Sequence, residues 1–474
     1  MNTQSIACSL PVAYLEQMKG LLGEAGFFQY LNSMEMPARK GIRINLLKWP
    51  ASSGLPGPVS LMHMLRPEGT DISQLRSVPW EESGFYYEDP LRPGQSPLHE
   101  AGLYYIQEPS AMSAAALLDP QPGETVLDLC AAPGGKSTQI AARMGGSGLI
   151  VSNEPVFSRA KILSSNIERM GVRNCVVTCA MPEQLSDRFP CFFDRILVDA
   201  PCSGEGMFRK APESRFEWHE GSPAQCAERQ MKILDCAAKM LKPGGTMVYS
   251  TCTFNRTENE GVIEAFLEAH PAFSTTAFSL PGLPDAPDGM QHLFPHEIEG
   301  EGHFIAKLVR DMSAPDRTLP LEKKKTGRGT RSRGTDDKLP EMPDVYRNLN
   351  LTGKQLYMGG RTLWVLPDGI FPEQFRNLQI LRAGLALLDA GSRFPEPHHA
   401  SGMALSAEEV SNVCQLTWDE MTAYQAGETI LKSSGKGWVL LQYEGISLGW
   451  GKQADGMIKN HYPKGLRRRG GIYQ

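Results

Sequence analysis

Thr125-Val126-Leu127-Asp128-Leu129-Cys130-Ala131-Ala132-Pro133-Gly134-Gly135-Lys136-Ser137-Thr138-Gln139-Ile140 joins an apolar run of strand character to a loop of small residues and then to the start of a helix. In α/β proteins this succession brings backbone N–H groups against a nucleotide-like ligand, so the stretch is expected to hold a cofactor. Gly135-Lys136-Ser137 also looks like the end of a phosphate-binding loop, with Arg195-Ile196-Leu197-Val198-Asp199 as a metal-binding partner strand. A phosphate loop needs a glycine five places before its second one so that the backbone can wrap the phosphates, and Cys130 stands there instead. A nucleoside triphosphatase is thereby reduced to the alternative from another class.

Outward from this stretch the pattern repeats. Gly148 to Asn153 reads as a second strand ending at Glu154, an acid placed about 20 residues past the glycines, where a ribose diol is commonly held. A helix over 157–170, strands at Cys175–Cys179 and Ile196–Val198, a helix over Ala224–Leu241 and a strand at Thr246–Ser250 continue the alternation. Thr257-Glu258-Asn259-Glu260 has the spacing of a capping box for the next helix, and Phe294-Pro295-His296 with His303–Leu308 reads as a closing antiparallel pair. Such β-α-β-α repetition implies a Rossmann-like, mostly parallel sheet with helices on both faces and ligands at the carboxyl ends of its strands.

Two cysteines lie just past such strand ends, in Asp199-Ala200-Pro201-Cys202 and Ser250-Thr251-Cys252. A lone cysteine is usually a small buried hydrophobe, but a pair on the ligand side of one sheet suits thiolate chemistry. Methylation at carbon 5 of a pyrimidine needs it. A thiolate adds to carbon 6, the resulting enamine takes the methyl group, and loss of the carbon-5 proton expels the thiol. Asp199 suits hydrogen bonding to the base edge, and Lys136 suits orienting Asp199 or lowering a cysteine pKa.

The three motifs Cys130-Ala131-Ala132-Pro133-Gly134-Gly135-Lys136, Asp199-Ala200-Pro201-Cys202-Ser203-Gly204-Glu205-Gly206 and Ser250-Thr251-Cys252-Thr253, with Glu258-Asn259-Glu260, resemble the RsmB/RsmF family of S-adenosylmethionine-dependent RNA (cytosine-5)-methyltransferases. Gln107-Glu108-Pro109-Ser110 and Glu299-Gly300-Glu301-Gly302-His303-Phe304 extend the likeness across about residues 1–310, and Leu448-Gly449-Trp450-Gly451-Lys452 with the basic tail resembles the RsmF branch and its PUA-like domain. The resemblance implies Cys252 as nucleophile, Cys202 as the residue that aids release, Cys130, Ala131, Ala132, Pro133, Gly134, Gly135 and Lys136 along the methionine part of the cofactor, Glu154 on the ribose and Asp199 between cofactor and cytosine. Many relatives carry an aspartate for the adenine amino group where this chain reads Cys179-Ala180-Met181, so Met181 is only a weak cofactor position. The implied substrate is 16S ribosomal RNA, free or in the 30S subunit, with transfer RNA as the alternative inside the family.

Composition agrees with an ordinary globular protein: 474 residues, 41% hydrophobic and 21% charged, with a net charge of −5. The length corresponds to roughly three domains of about 150 residues. Met1 to Pro11 lacks a basic start and an apolar core, and no run approaches a membrane span, so the reading is soluble and cytoplasmic. Ten cysteines without paired CxxC spacing argue for reduced thiols and no metal site. No heptad pattern asks for a partner, and a monomer is expected.

With a slightly acidic total, RNA contacts must come from local patches. Arg39, Lys40 and Arg43 form one cationic face of an N-terminal strand, which composition alone would make a solvated edge strand. The tail offers Lys459, Lys464, Arg467, Arg468 and Arg469 beside His461 and Tyr462, an interleaving of cations and rings that suits RNA. From Leu321 to Lys338, seven basic residues against three acids leave a surplus of four positive charges. The expected organisation is an RNA-binding mixed α/β domain over 1–100, the methyltransferase domain over 101–312, a basic flexible linker over 313–344, a small connecting domain over 345–400 and a β-rich PUA-like domain over 401–474.

Overall fold

A computed structural model describes residues 10–49, 75–314, 339–391, 394–432 and 435–467. Most of the expected linker and the tail arginines Arg468 and Arg469 lie outside the described residues.

The apolar runs around the glycine loop become the strands of one large sheet. They are β1 (Thr125–Asp128), β2 (Leu149–Asn153), β3 (Cys175–Cys179), β4 (Phe193–Asp199), β5 (Leu241–Thr251), β6 (Phe273–Thr275), β7 (Met290–Leu293), β8 (His303–Arg310) and β9 (Gln379–Ala383). Their order is β6-β8-β5-β4-β1-β2-β3-β9, with β7 also on β8. Pairings among β1 to β5 are parallel, and β6 to β9 add antiparallel strands at the two sides. Two-residue alternation divides the side chains between two cores. Leu127, Val151, Val176, Ile196 and Met247 pack with Leu234 and Ala237 on one face. Val126, Ile150, Val177, Leu197 and Val248 pack with Ile140, Ala141, Leu163 and Ile167 on the other. The helices that cover these faces are α1 (Gly135–Arg143), α2 (Phe157–Arg169), α3 (Ser222–Met240) and α4 (Glu260–Ala269).

Four local expectations change. β4 and β5 are longer than the apolar triplets that mark them, because strand pairing carries on through Asp199 and Thr251. The strand opposite β8 is Met290–Leu293, and Phe294-Pro295-His296 follows it as a turn. The capping box does not form: Asn259 is the N-cap of α4 without a side-chain cap, and Glu258 turns instead into the cysteine loops. Gln379–Ala383, within the expected connecting segment, is the outer strand beside β3 in the large sheet.

Before the large sheet, strands Arg76–Val78, Glu81–Tyr87, Lys40–Ile44 and Tyr104–Ile106 form an antiparallel sheet in that order. Lys40–Ile44 is therefore an interior strand, which corrects the edge-strand reading. Two further four-stranded sheets follow the linker, the first formed by Leu356–Gly359 and Thr362–Val365 before β9 and Leu385–Asp389 and Glu396–Pro397 after it, the second by Val413–Gln415, Gly437–Tyr443, Ile446–Ala454 and Met457–Asn460. One face of that last sheet shares a core with the N-terminal sheet, through Val439, Leu441, Ile446 and Ile458 against Ile42, Ile44 and Phe85.

Candidate active site

The glycine loop is held by its neighbours before any ligand is considered. Leu129 N–H donates to Leu197 O at 3.0 Å and Ala131 N–H to Asn153 O at 2.8 Å, so the loop spans the ends of three strands. Gly134 has φ +114°, a conformation L side chains rarely adopt, and a Cβ there would lie 3.2 Å from Leu163. Asn153 bonds Leu129 O, Ala180 O, Ala180 N–H and Thr178, bracing the loops after β1 and β3 together. Beneath the loop, Asp128 accepts from Ser137 Oγ at 2.6 Å, and its Oδ1 is buried without a hydrogen-bond partner. Burial, opposed by the Ser137 bond and helped by Asp199 and Glu154, pushes the Asp128 carboxyl up to about 7.

Asp199 closes β4 on the same side of the sheet. Its Oδ2 lies 2.8 Å from Lys136 Nζ, its Oδ1 accepts from Ser250 Oγ at 2.8 Å, and His303 Nε2 stands 3.6 Å from Oδ1. Burial opposes ionisation, but Lys136 and His303 outweigh it and hold the carboxylate well below the usual range. Reciprocally, burial pulls on the Lys136 ammonium while Asp199 more than compensates, raising it above the ordinary value. Lys136 is thus committed to a carboxylate at the end of the neighbouring strand.

The two cysteines meet. Cys202 Sγ and Cys252 Sγ are 3.4 Å apart, brought together because β4 and β5 are adjacent and parallel. The interaction with Cys252, followed by burial, pushes the Cys202 thiol well up. Buried Glu258 fastens both loops: it accepts from Ser203 N–H at 2.9 Å, Gln230 Nε2 at 2.9 Å and Asn255 Nδ2 at 2.7 Å, and also from Ser203 Oγ. Glu205 does the same from the other loop, accepting from Phe254 N–H at 2.8 Å and Asn255 N–H at 3.0 Å. Sequence reasoning missed the bracing roles of Asn153, Asn255 and Glu258, and it quoted Glu205 and His303 without assigning them one.

The remaining expected residues separate into two groups. Glu154 is buried at the end of β2, where it accepts from Val156 N–H at 2.9 Å and pairs with Arg159 at 3.1 Å. Met181 is 54% exposed at the rim beyond β3. Among the basic residues, Lys459 and Lys464 are exposed, Arg467 donates to Tyr462 O at 3.2 Å, and Lys40 pairs with Asp89 at 2.8 Å. Arg39 uses its N–H on Glu301 Oε1 at 2.7 Å. Arg43 corrects the expectation of an RNA contact: it is fully buried and donates to Gln107 Oε1 at 2.9 Å, Thr138 Oγ1 at 2.8 Å and Gly135 O at 3.1 Å. A guanidinium enclosed in this way has no surface to offer a phosphate. Among the described residues no helix is long and apolar enough to cross a membrane.

Residues 115–309 match the family described as 16S rRNA methyltransferase RsmB/F. Residues 10–109 match the N-terminal domain of 16S rRNA methyltransferase RsmF, and residues 411–468 match the methyltransferase RsmF PUA domain. The chain is 33% identical over 480 residues to ribosomal RNA small subunit methyltransferase F of Escherichia coli (strain UMN026), covering 98% of both chains. It is 33% identical over 489 residues to the protein of that name from Klebsiella pneumoniae (strain 342), again covering 98% of both. Among solved structures, a methyltransferase homologue from Pyrococcus horikoshii is 29% identical with a TM-score of 0.51, over 64% of this chain and 100% of that one. NSun6 from Pyrococcus horikoshii, solved with SFG, shares the fold at 22% identity and a TM-score of 0.56, over 64% of this chain and 99% of that one. With its catalytic-domain, N-terminal and PUA matches in one order along its length, the chain belongs to the 16S rRNA methyltransferase RsmB/F family.

Proposed function

We propose that this protein transfers the methyl group of S-adenosylmethionine to carbon 5 of a cytosine in small-subunit ribosomal RNA, through a covalent bond between Cys252 and carbon 6 of the base. The observation that carries the reading is the pair of thiols 3.4 Å apart at the ends of β4 and β5, next to the Lys136–Asp199 ion pair and above the glycine loop.

The residues at the loop suit the cofactor. Gly134 and Gly135 keep side chains off the loop between β1 and α1, Asp128 holds an unpartnered buried oxygen beneath it, and Glu154 places a carboxylate at the end of β2 for a ribose diol. When bound, the cofactor supplies an electrophilic methyl group. Asp199, kept ionised by Lys136 and fixed by Ser250, accepts from the exocyclic amine of cytosine, a contact that uracil cannot make. Lys136, fixed on Asp199 at 2.8 Å, keeps that carboxylate in place beside the attacking sulfur. Cys202, held as a thiol beside Cys252, is placed to hand a proton to the departing sulfur and free the product. Exposed Lys459 and Lys464, with Arg467 beside them, are proposed to hold RNA phosphates away from the reaction.

The test uses labelled cofactor and small-subunit RNA from a strain lacking the gene. Cys252→Ala is expected to abolish methyl incorporation, and Cys202→Ala to accumulate a denaturant-resistant protein–RNA adduct. Normal turnover by Cys252→Ala would overturn the covalent route. Bisulfite sequencing of ribosomal and transfer RNA from the same strain identifies the substrate, because only the true target loses its modified cytosine.

A further inference from the structure

After methyl transfer, carbon 5 carries both the new methyl group and a hydrogen that must leave as a proton before Cys252 can depart. The residues named so far are poor acceptors for it. Cys202 is held as a thiol by Cys252 and by burial. Asp199 is a weak base, with Oδ2 on Lys136 and Oδ1 on Ser250.

We propose that His303 Nε2 accepts the carbon-5 proton, an assignment that rests on the cytosine-5 reaction proposed above. His303 opens β8, whose register sets Phe304 against Thr251, so the next position outward brings His303 and Cys252 to the same place. Side chains two residues apart along a strand share a face, which puts His303 on the side where Ser250 meets Asp199. The side chain of His303 is 5% exposed. Its Nδ1 stands 3.2 Å from Gly302 O, and a proton placed there for that hydrogen bond leaves the lone pair on Nε2. Nε2 has no hydrogen-bond partner among the described residues and lies 3.6 Å from Asp199 Oδ1. This ring nitrogen thus stands at the end of β4 beside Asp199, and the carboxylate stabilises the imidazolium that forms when the proton arrives.

The approach is built into the backbone. Gly302 has φ +112°, and a Cβ on it would stand 2.4 Å from the Phe254 ring. Only glycine lets the chain pass here and turn His303 inward. Gly206 N–H donates to Cys252 O at 2.8 Å, and a Cβ on Gly206 would be 3.0 Å from both Cys252 O and Gly302 O, so the two cysteine loops and the His303 turn close on one point.

The step balances within the site. His303 Nε2 bonds the proton, the carbon–hydrogen electron pair becomes the C5–C6 double bond, and the C6–Sγ bond breaks to release Cys252 as thiolate. Cys202 hands its proton to that sulfur, and the imidazolium gives its own proton to Cys202, which restores all three residues.

The experiment compares wild type, His303→Gln and His303→Ala, each checked by thermal melting, on undermethylated small-subunit RNA with methyl-labelled cofactor. Multiple turnover is expected to fall on the order of 100-fold or more in both variants. Labelled methyl should still enter a denaturant-resistant protein–RNA adduct in a single burst, and added imidazole should restore turnover to His303→Ala but not to Cys202→Ala. Normal turnover by His303→Gln, or a folded variant that forms neither labelled adduct nor product, would overturn the assignment. Failure of wild type itself to methylate cytosine would sink the reaction on which the proposal rests, an outcome separate from either.

Discussion

Arg43 donates through Nη2 to Thr138 Oγ1 at 2.8 Å, which bonds an interior strand of the N-terminal sheet to the first turn of α1. The same guanidinium reaches Gln107 and Gly135 O, and its burial, opposed by nearby Glu81, lowers it from the usual arginine value to about 10. Arg43→Met removes these bonds and takes from buried Gln107 Oε1 its donor. It is expected to lower unfolding stability by about 2–4 kcal/mol, read by urea titration. Calorimetry should also show weaker cofactor binding, because the glycine loop loses its brace from outside the sheet.

Lys136→Met leaves Asp199 a part-buried carboxylate without its cation, so the melting temperature should fall. The pH dependence of turnover is more telling. Lys136 helps hold Asp199 below the usual carboxylate range, so its removal should move the acid limb of the rate profile to higher pH. A variant with an unmoved acid limb and normal turnover would show that the pair is not used.

Lys459 and Lys464 are exposed in the matched PUA region. Replacing both by Gln is expected to weaken RNA binding in fluorescence titrations and to reduce the slope of log affinity against log salt by about 0.7–0.9 for each phosphate left without its cation. Lys40→Gln should change the slope less, because Lys40 is already paired with Asp89.

His399 is part-buried at the junction of α2 and the C-terminal sheets, and desolvation there is the main cause that lowers it to about 4 from an ordinary value near 6.5. The neutral ring is the one the fold accepts. Stability should be complete above about pH 6.5 and should decline as the pH falls through 4, by up to roughly 3 kcal/mol at the acid end. Melting curves across that range check the expectation, and His399→Phe should flatten part of the decline.

Much of the site was legible because its residues lie in short local patterns. Val126 and Leu127 leading into Gly134 and Gly135 mark a strand, loop and helix on their own, and Cys202 and Cys252 each follow an apolar strand that can be read in isolation. What could not be read were partners distant in the chain. Arg43 alternates with apolar residues as a surface cation would, and only the pairing of its strand between two others buries it. Glu258 lies inside the Thr257–Glu260 spacing that reads as a capping box, yet Ser203 and Gln230 claim it from other elements. His303 reads as an ordinary polar start to a strand until the register brings it to Cys252 and Asp199.

β9 carries a consequence for how the protein can be built. It pairs Ile380 with Thr178 and Ala383 with Val176, and buried Arg382 meets Glu168 of α2. During synthesis β3 must therefore wait as an open edge, with Val176 and Val177 unpaired on one side, until chain from beyond the linker arrives to cover it. A fragment ending at β8 would hold both cysteines and the glycine loop, yet it would keep that edge as a template for self-association. The large sheet is thus completed by chain that lies beyond the linker and ahead of the residues that match the PUA domain.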